Sequence, residues 1–181
     1  RKRYLTVERA EAAANGEKAS PLDMKVAEDW WAKNMPNVPF KRVKGMIKRG
    51  GTTAYGIFEA GAVQVSDLAI KGTEYHEAFH AVFHMFLDDS RQAKVLAEMR
   101  KKYPNKNEEQ LEEELAEEFR EYMLTDGLSN KDKSVVRRFF SELMELIGAL
   151  LRGNLASTRL AQQINRGTFS NMTPRTNEFT T

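Results

Sequence analysis

Cysteine is missing from this chain. Its absence excludes disulfides and thiolate metal sites, and leaves histidine and carboxylate as the metal-binding side chains. It also fits a cytosolic setting. No apolar run reaches membrane-spanning length: the best, Leu143 to Leu151, is short and interrupted by Glu145. The start of the chain has no apolar signal region. Charge of one sign is lacking as well. Lys and Arg number 28 against 26 Asp and Glu, a net charge of +2, so neither nucleic acid nor a membrane is expected as a partner. The basic opening Arg1-Lys2-Arg3 is too short to change that. Internal repeats and low-complexity segments are absent. Histidine is scarce, with three in 181 residues. The chain opens on Arg1 rather than Met and is read as a fragment or a processed product.

The composition that remains, 41% hydrophobic and 30% charged, is that of one soluble domain with tails. The pattern predicts a polar N-terminal tail or loose helix over 1–20, a domain over 21–152 and a loosely ordered extension over 153–181. Within the domain, Met24, Ala27 and Trp31 recur at helical spacing from Pro21 to Asn34, where Pro36 and Pro39 end the helix. An extended piece is expected from Phe40 to Ile47, then the turn Arg49-Gly50-Gly51. Thr52 to Phe58 and Ala62 to Ser66 read as a hairpin around Glu59-Ala60-Gly61. Thr73 is the expected N-cap for a helix to about Leu87 that is apolar on nearly every side and so predicted to be buried. Ser90 is the expected cap of the next helix. Asn107 with Gln110 opens another to about Thr125. A long amphipathic helix is expected from Ser129 to Arg152, with its apolar stripe in the core, and a short one over 156–165. The fold class is α+β, mostly helical, with a small hairpin sheet beside the buried helix.

All three histidines fall within nine residues, His76-Glu77-Ala78-Phe79-His80-Ala81-Val82-Phe83-His84. The first two frame H-E-x-x-H. Histidines at i and i+4 share one helical face, so both can hold one zinc ion (Zn2+), while Glu77 can act as general base on water whose pKa the ion lowers. His84 lies about 80° from His76 on the wheel, at ~100° per residue, and is read as a core or orienting histidine. A catalytic zinc takes three protein ligands. The third is expected from the glutamates of the helix at Asn107: Glu108, Glu109, Glu112, Glu113, Glu114, Glu117, Glu118 and Glu121. By residue type alone such a run also reads as a solvated face.

From Met24 to Tyr122 the chain resembles zincin-like metallopeptidase domains of the gluzincin type. The resemblance is carried by His76-Glu77-Ala78-Phe79-His80 and the later Glu113-Glu114-Leu115-Ala116-Glu117-Glu118-Phe119. These segments are similar to the lethal-factor-type toxins and the repressor-cleaving peptidases of mobile elements. The run Gly72-Thr73-Glu74-Tyr75-His76-Glu77-Ala78-Phe79-His80 after Gly56-Ile57-Phe58 resembles domains in very large proteins of tailed, crAss-like bacteriophages. The resemblance implies Glu113 as third ligand, Ala116 as the small residue that lets helices approach, and Glu117 as the group that orients a ligand histidine. Glu114 and Glu117 remain alternative ligands in the registers Glu114/Glu118 and Glu117/Glu121. It further implies an edge strand that pairs with extended substrate, for which Val63, Gln64 and Val65 are the candidates. Tyr75, Tyr103 and Tyr122 are the candidates for stabilising an oxyanion.

The expected activity is a zinc-dependent endopeptidase acting on polypeptide, in the host cytoplasm or associated with a virion. The alternative is a catalytically silent module that contacts other regions of a larger phage protein. A helical binding domain without metal is the third reading.

Overall fold

A computed structural model describes residues 3–7, 10, 16–125 and 138–145. Among them the chain is α+β. Strands β1 (Arg3–Thr6), β2 (Phe40–Val43), β3 (Ile47–Arg49), β4 (Thr52–Glu59) and β5 (Ala62–Ser66) form one mixed sheet. The helices are α1 (Pro21–Asn34), α2 (Thr73–Met85), α3 (Asp89–Lys102) and α4 (Glu108–Leu124), with residues 138–145 helical as α5.

Local chemistry sets several boundaries where the sequence predicts them. Ser20 and Asp23 close a reciprocal capping box ahead of Pro21, and Asn107 and Gln110 do the same for α4. The β4–β5 hairpin turns through Ala60 and Gly61, both at positive φ (54° and 74°). That is the handedness a two-residue hairpin turn requires.

Other boundaries differ. Thr73 is the first residue of α2, not its cap; Gly72 caps it in the left-handed region at φ 83°. A Cβ there would stand 3.0 Å from Arg120 Cγ and from Leu124 Cδ1, so glycine is required on two counts. Asp88, not Ser90, caps α3, its carboxylate accepting from the Arg91 amide. The expected tail over 1–20 is corrected at Arg3–Thr6, which forms β1 and pairs antiparallel with β4 in the register Arg3↔Phe58, Leu5↔Gly56. The expected helix from Ser129 is described only over 138–145, where Phe140 and Leu143 join the core. The predicted helix over 156–165 and the extension over 153–181 lie outside the described residues.

The strand order is β1-β4-β5-β2, with β3 also on β4. β2 runs parallel to β5, pairing Phe40↔Val63, Lys41↔Gln64 and Arg42↔Val65. This overturns the expectation for Val63, Gln64 and Val65: β4 flanks them on one side and β2 on the other, so their main chain is not free to receive a substrate strand.

One face of the sheet packs on α2, which packs in turn on α4. Phe79, Phe83, Phe119 and Phe140 interlock between these helices with Leu111 and Leu115. At the start of α2 the buried Glu74 receives Arg42 Nη2 at 2.6 Å, while Arg42 Nε donates to Glu28 at 2.8 Å. Burial raises the Glu74 pKa, against the opposing pull of Arg42. None of the described helices is long and apolar enough to cross a membrane.

Candidate metal centre

α2 has no solvent face. All 13 of its residues are buried, so each polar side chain on it must find a partner inside the protein. The partners come from α4, whose Leu111, Leu115, Ala116 and Phe119 press a glutamate-bearing face onto α2. Ala116 is fully buried at this contact.

His76 Nε2 and His80 Nε2 stand 3.3 Å apart. Glu113 closes the triangle: its Oε2 is 3.1 Å from His76 Nε2 and its Oε1 3.2 Å from His80 Nε2. On the far sides of the rings, His76 Nδ1–H donates to Glu117 Oε1 at 2.7 Å and His80 Nδ1–H donates to Glu112 Oε2 at 2.6 Å. A carboxylate on each Nδ1 fixes the ring and leaves the Nε2 atoms directed at the shared centre. Glu117 is steadied in turn by Arg120, whose Nε is anchored on the Lys71 carbonyl at 2.8 Å. Among the expected site residues, the structure thus brings His76, His80 and Glu113 together and sets Glu117 behind His76. The alternative ligand Glu114 faces elsewhere and pairs with Lys106.

Glu112 is a site residue that sequence reading left inside a run of equivalent glutamates. Its Oε2 accepts from His80 Nδ1 and, at 2.8 Å, from His84 Nε2. Arg3 closes on the same carboxylate, with Nε 3.0 Å from Oε2 and Nη2 3.2 Å from Oε1. His84 stacks on Phe58 and joins this second cluster rather than the first. His76/His80/Glu113 and His80/His84/Glu112 are each spaced so that they could hold a metal ion. They differ in their close partners: a guanidinium sits on Glu112, and two imidazoles converge on Glu113. Arg3 carried no signal in the sequence, because nothing local links it to a helix more than a hundred residues away. Glu112 had one: it lies one turn before Ala116, on the face where small and apolar residues recur.

The electrostatics follow from burial and pairing. Burial is the largest influence on His76 and would lower its pKa, but hydrogen bonds to Glu113 and Glu117 outweigh it and push it up to about 9. His80 goes up to about 10 for the same reason, through Glu113 and Glu112. Burial acts to raise Glu112 and Glu113, yet their histidine partners hold both well below the usual carboxylate range. Glu77 has no hydrogen-bonded partner of this kind among the described residues. It is 0% exposed and neither carboxylate oxygen has a hydrogen-bond partner among the described residues. Burial pushes it up to about 7, against the opposing pull of His76 and His80 and, to a smaller extent, of the Leu5 main chain.

Glu77 lies directly under β4. A Cβ on Gly56 would come 2.9 Å from Glu77 Oε1 and 2.9 Å from Thr73 Cγ2. Gly56→Ala should therefore force α2 and the sheet apart and cost about 1–3 kcal/mol. Urea denaturation checks it, and an unchanged midpoint would mean that the contact is slack.

The three tyrosines considered for an oxyanion sit in other company. Tyr75 meets Trp30 edge-on, Tyr122 packs on Phe119 and Phe140, and Tyr103 carries Lys102 and Lys106 over its ring.

Searches against models of protein families, curated proteins and solved structures found no match.

Proposed function

We propose that this chain is a zinc-dependent endopeptidase, with His76, His80 and Glu113 as the residues that hold the ion and Glu77 as its general base. The observation that carries the reading is the convergence of two Nε2 atoms and one carboxylate at 3.1–3.3 Å, with a buried carboxylate that has no hydrogen-bond partner among the described residues one position after the first histidine. The donor set fits the ion. Ligands each ~2.0–2.1 Å from a tetrahedral zinc lie about 3.3 Å from one another, and three of them leave the fourth position that a catalytic site keeps open. When bound, zinc supplies Lewis acidity and lowers the pKa of a coordinated water to about 7.

The protein's own groups do the rest. Glu117 and Glu112 hold the two imidazoles in the tautomer that presents Nε2. Glu77, free of competing hydrogen bonds among the described residues, takes a proton from the attacking water and delivers it to the departing amine. Its complete burial beneath Gly56 keeps bulk water from the carboxylate. The zincin-type, phage-protein resemblance of His76-Glu77-Ala78-Phe79-His80 and Glu113-Glu114-Leu115-Ala116-Glu117 supports the same reading, with a polypeptide as substrate.

One observation favours the catalytically silent alternative: His76, Glu77 and His80 are all 0% exposed. Metal analysis and a cleavage assay on an unfolded protein such as casein separate the two. The peptidase reading expects one zinc per chain and cleavage that stops with a chelator and returns with added zinc. Stoichiometric zinc with casein left intact, in both the native chain and the opened variants described next, would leave only the silent module.

A further inference from the structure

One strand borders the centre, through Arg3 on Glu112. β1 lies along the edge of β4 at the point where β4 passes over Glu77, with Leu5 opposite Gly56 and Arg3 opposite Phe58. Cross-strand partners point to the same face of a sheet. Gly56 faces Glu77 and Phe58 stacks on His84, so this is the face that covers α2. Arg3 and Leu5 accordingly point inward. Leu5 is fully buried among Ala10, Ile70 and Tyr55, and Arg3 is clamped on Glu112, with Glu109 3.8 Å away. Tyr4, opposite Ile57, alternates to the other face and is half-buried. The ladder slips between Leu5 and Thr6. β1 is thus a four-residue edge strand with two inward side chains, of which one answers a carboxylate and the other fills an apolar seat.

We propose that the edge of β4 beside Glu77 is a binding site for an extended polypeptide strand carrying arginine two positions before a large apolar residue, and that Arg3–Thr6 is its resident occupant. The inference rests on the peptidase reading for what a second strand would be brought there to undergo. β5 holds the other edge of β4 over the same residues, so β1 is the strand whose departure opens main-chain groups beside the base. An incoming strand pairs with β4 as β1 does, its arginine on Glu112 and its apolar residue over Gly56. While β1 is seated it competes as a tethered strand, at an effective concentration on the order of millimolar.

The full-length chain can be locked and unlocked. Tyr4 and Ile57 are cross-strand partners on the face away from the centre, and such pairs lie within the Cα separation of about 4.4–6.8 Å that a disulfide spans. The chain has no other cysteine, so Tyr4→Cys with Ile57→Cys forms one bond that fixes β1, reversibly. Arg3→Glu, checked for folding by its melting curve, sets a like charge against Glu112 and releases the strand.

The probe is fluorescein-labelled Arg-Lys-Arg-Tyr-Leu-Thr, followed by anisotropy, with casein cleavage measured on the zinc-loaded forms. The expected result is that Arg3→Glu and the reduced cysteine pair each bind the probe at least about tenfold more tightly than the oxidised pair. A probe with glutamate at its third position should not bind. Equal binding in all forms overturns the proposal. Casein cut equally by oxidised and reduced protein also overturns it, and leaves the peptidase reading standing. Redox-switched binding with casein uncut in every zinc-loaded form supports the strand site and sinks the peptidase reading.

Discussion

Glu77→Gln should retain one zinc per chain and lose cleavage by about 100-fold to 10,000-fold, the contribution of a positioned proton acceptor. The substitution keeps side-chain volume, so the contacts beneath Gly56 survive it. It removes only the capacity to take a proton. Glu77 makes no hydrogen bond among the described residues, so no partner is stranded and the fold should not suffer. Relieving a buried carboxylate that burial already disfavours as an anion should, if anything, raise the melting temperature. Loss of cleavage at unchanged zinc content and equal or greater stability separates a catalytic role from a structural one. Cleavage that survives the change would show that the proton leaves by another route.

Glu113→Ala carries the second large effect, and its comparison with Glu112→Gln tells the two clusters apart. Removing the Glu113 carboxylate takes away one corner of the triangle formed with His76 Nε2 and His80 Nε2. Zinc content should fall from one per chain to near zero after dialysis, and activity should fall with it. Glu112→Gln removes charge from the group behind His80 while keeping an acceptor for its Nδ1–H. By the usual weight of such orienting groups it should weaken zinc about 10-fold to 100-fold without abolishing it. The opposite ranking, with Glu112→Gln emptying the site and Glu113→Ala leaving it filled, would move the ion to the His80/His84/Glu112 cluster. Inductively coupled plasma mass spectrometry on the dialysed variants gives the ranking directly.

Elements with their own local chemistry could be read from the sequence, and those made by distant pairing could not. α1 and α4 begin where Ser20 and Asn107 meet an acceptor three residues on, and the β4–β5 hairpin is set by Ala60-Gly61. β1 has four residues and a partner some fifty positions away, too short for a period-2 pattern to emerge. The same limit hid the position of β5. The hairpin is local, but its interior place in the sheet comes from the parallel pairing with β2, a crossover that alternation within either strand does not encode.

At the centre, H-E-x-x-H placed His76, Glu77 and His80 on one buried helix because a period of 3.6 is enough to do so. The glutamates of α4 were harder. Glu112, Glu113 and Glu114 occupy successive wheel positions, and only the packing of Leu111, Leu115 and Phe119 decides that the first two turn inward while the third meets Lys106. The resemblance pointed to Glu113 for the ion and to Glu117 for orienting one of the ligand histidines; nothing in residue type alone separated them from their neighbours.

The absence of any solvent face on α2 also governs time. A helix enclosed by the sheet on one side and α4 on the other cannot fray residue by residue, so its central amides should take up deuterium only when the whole domain opens. Its exchange rate then reports global stability, and any ion held between His76, His80 and Glu113 inherits that slow clock as a lower limit on its residence unless the edge strand lifts first.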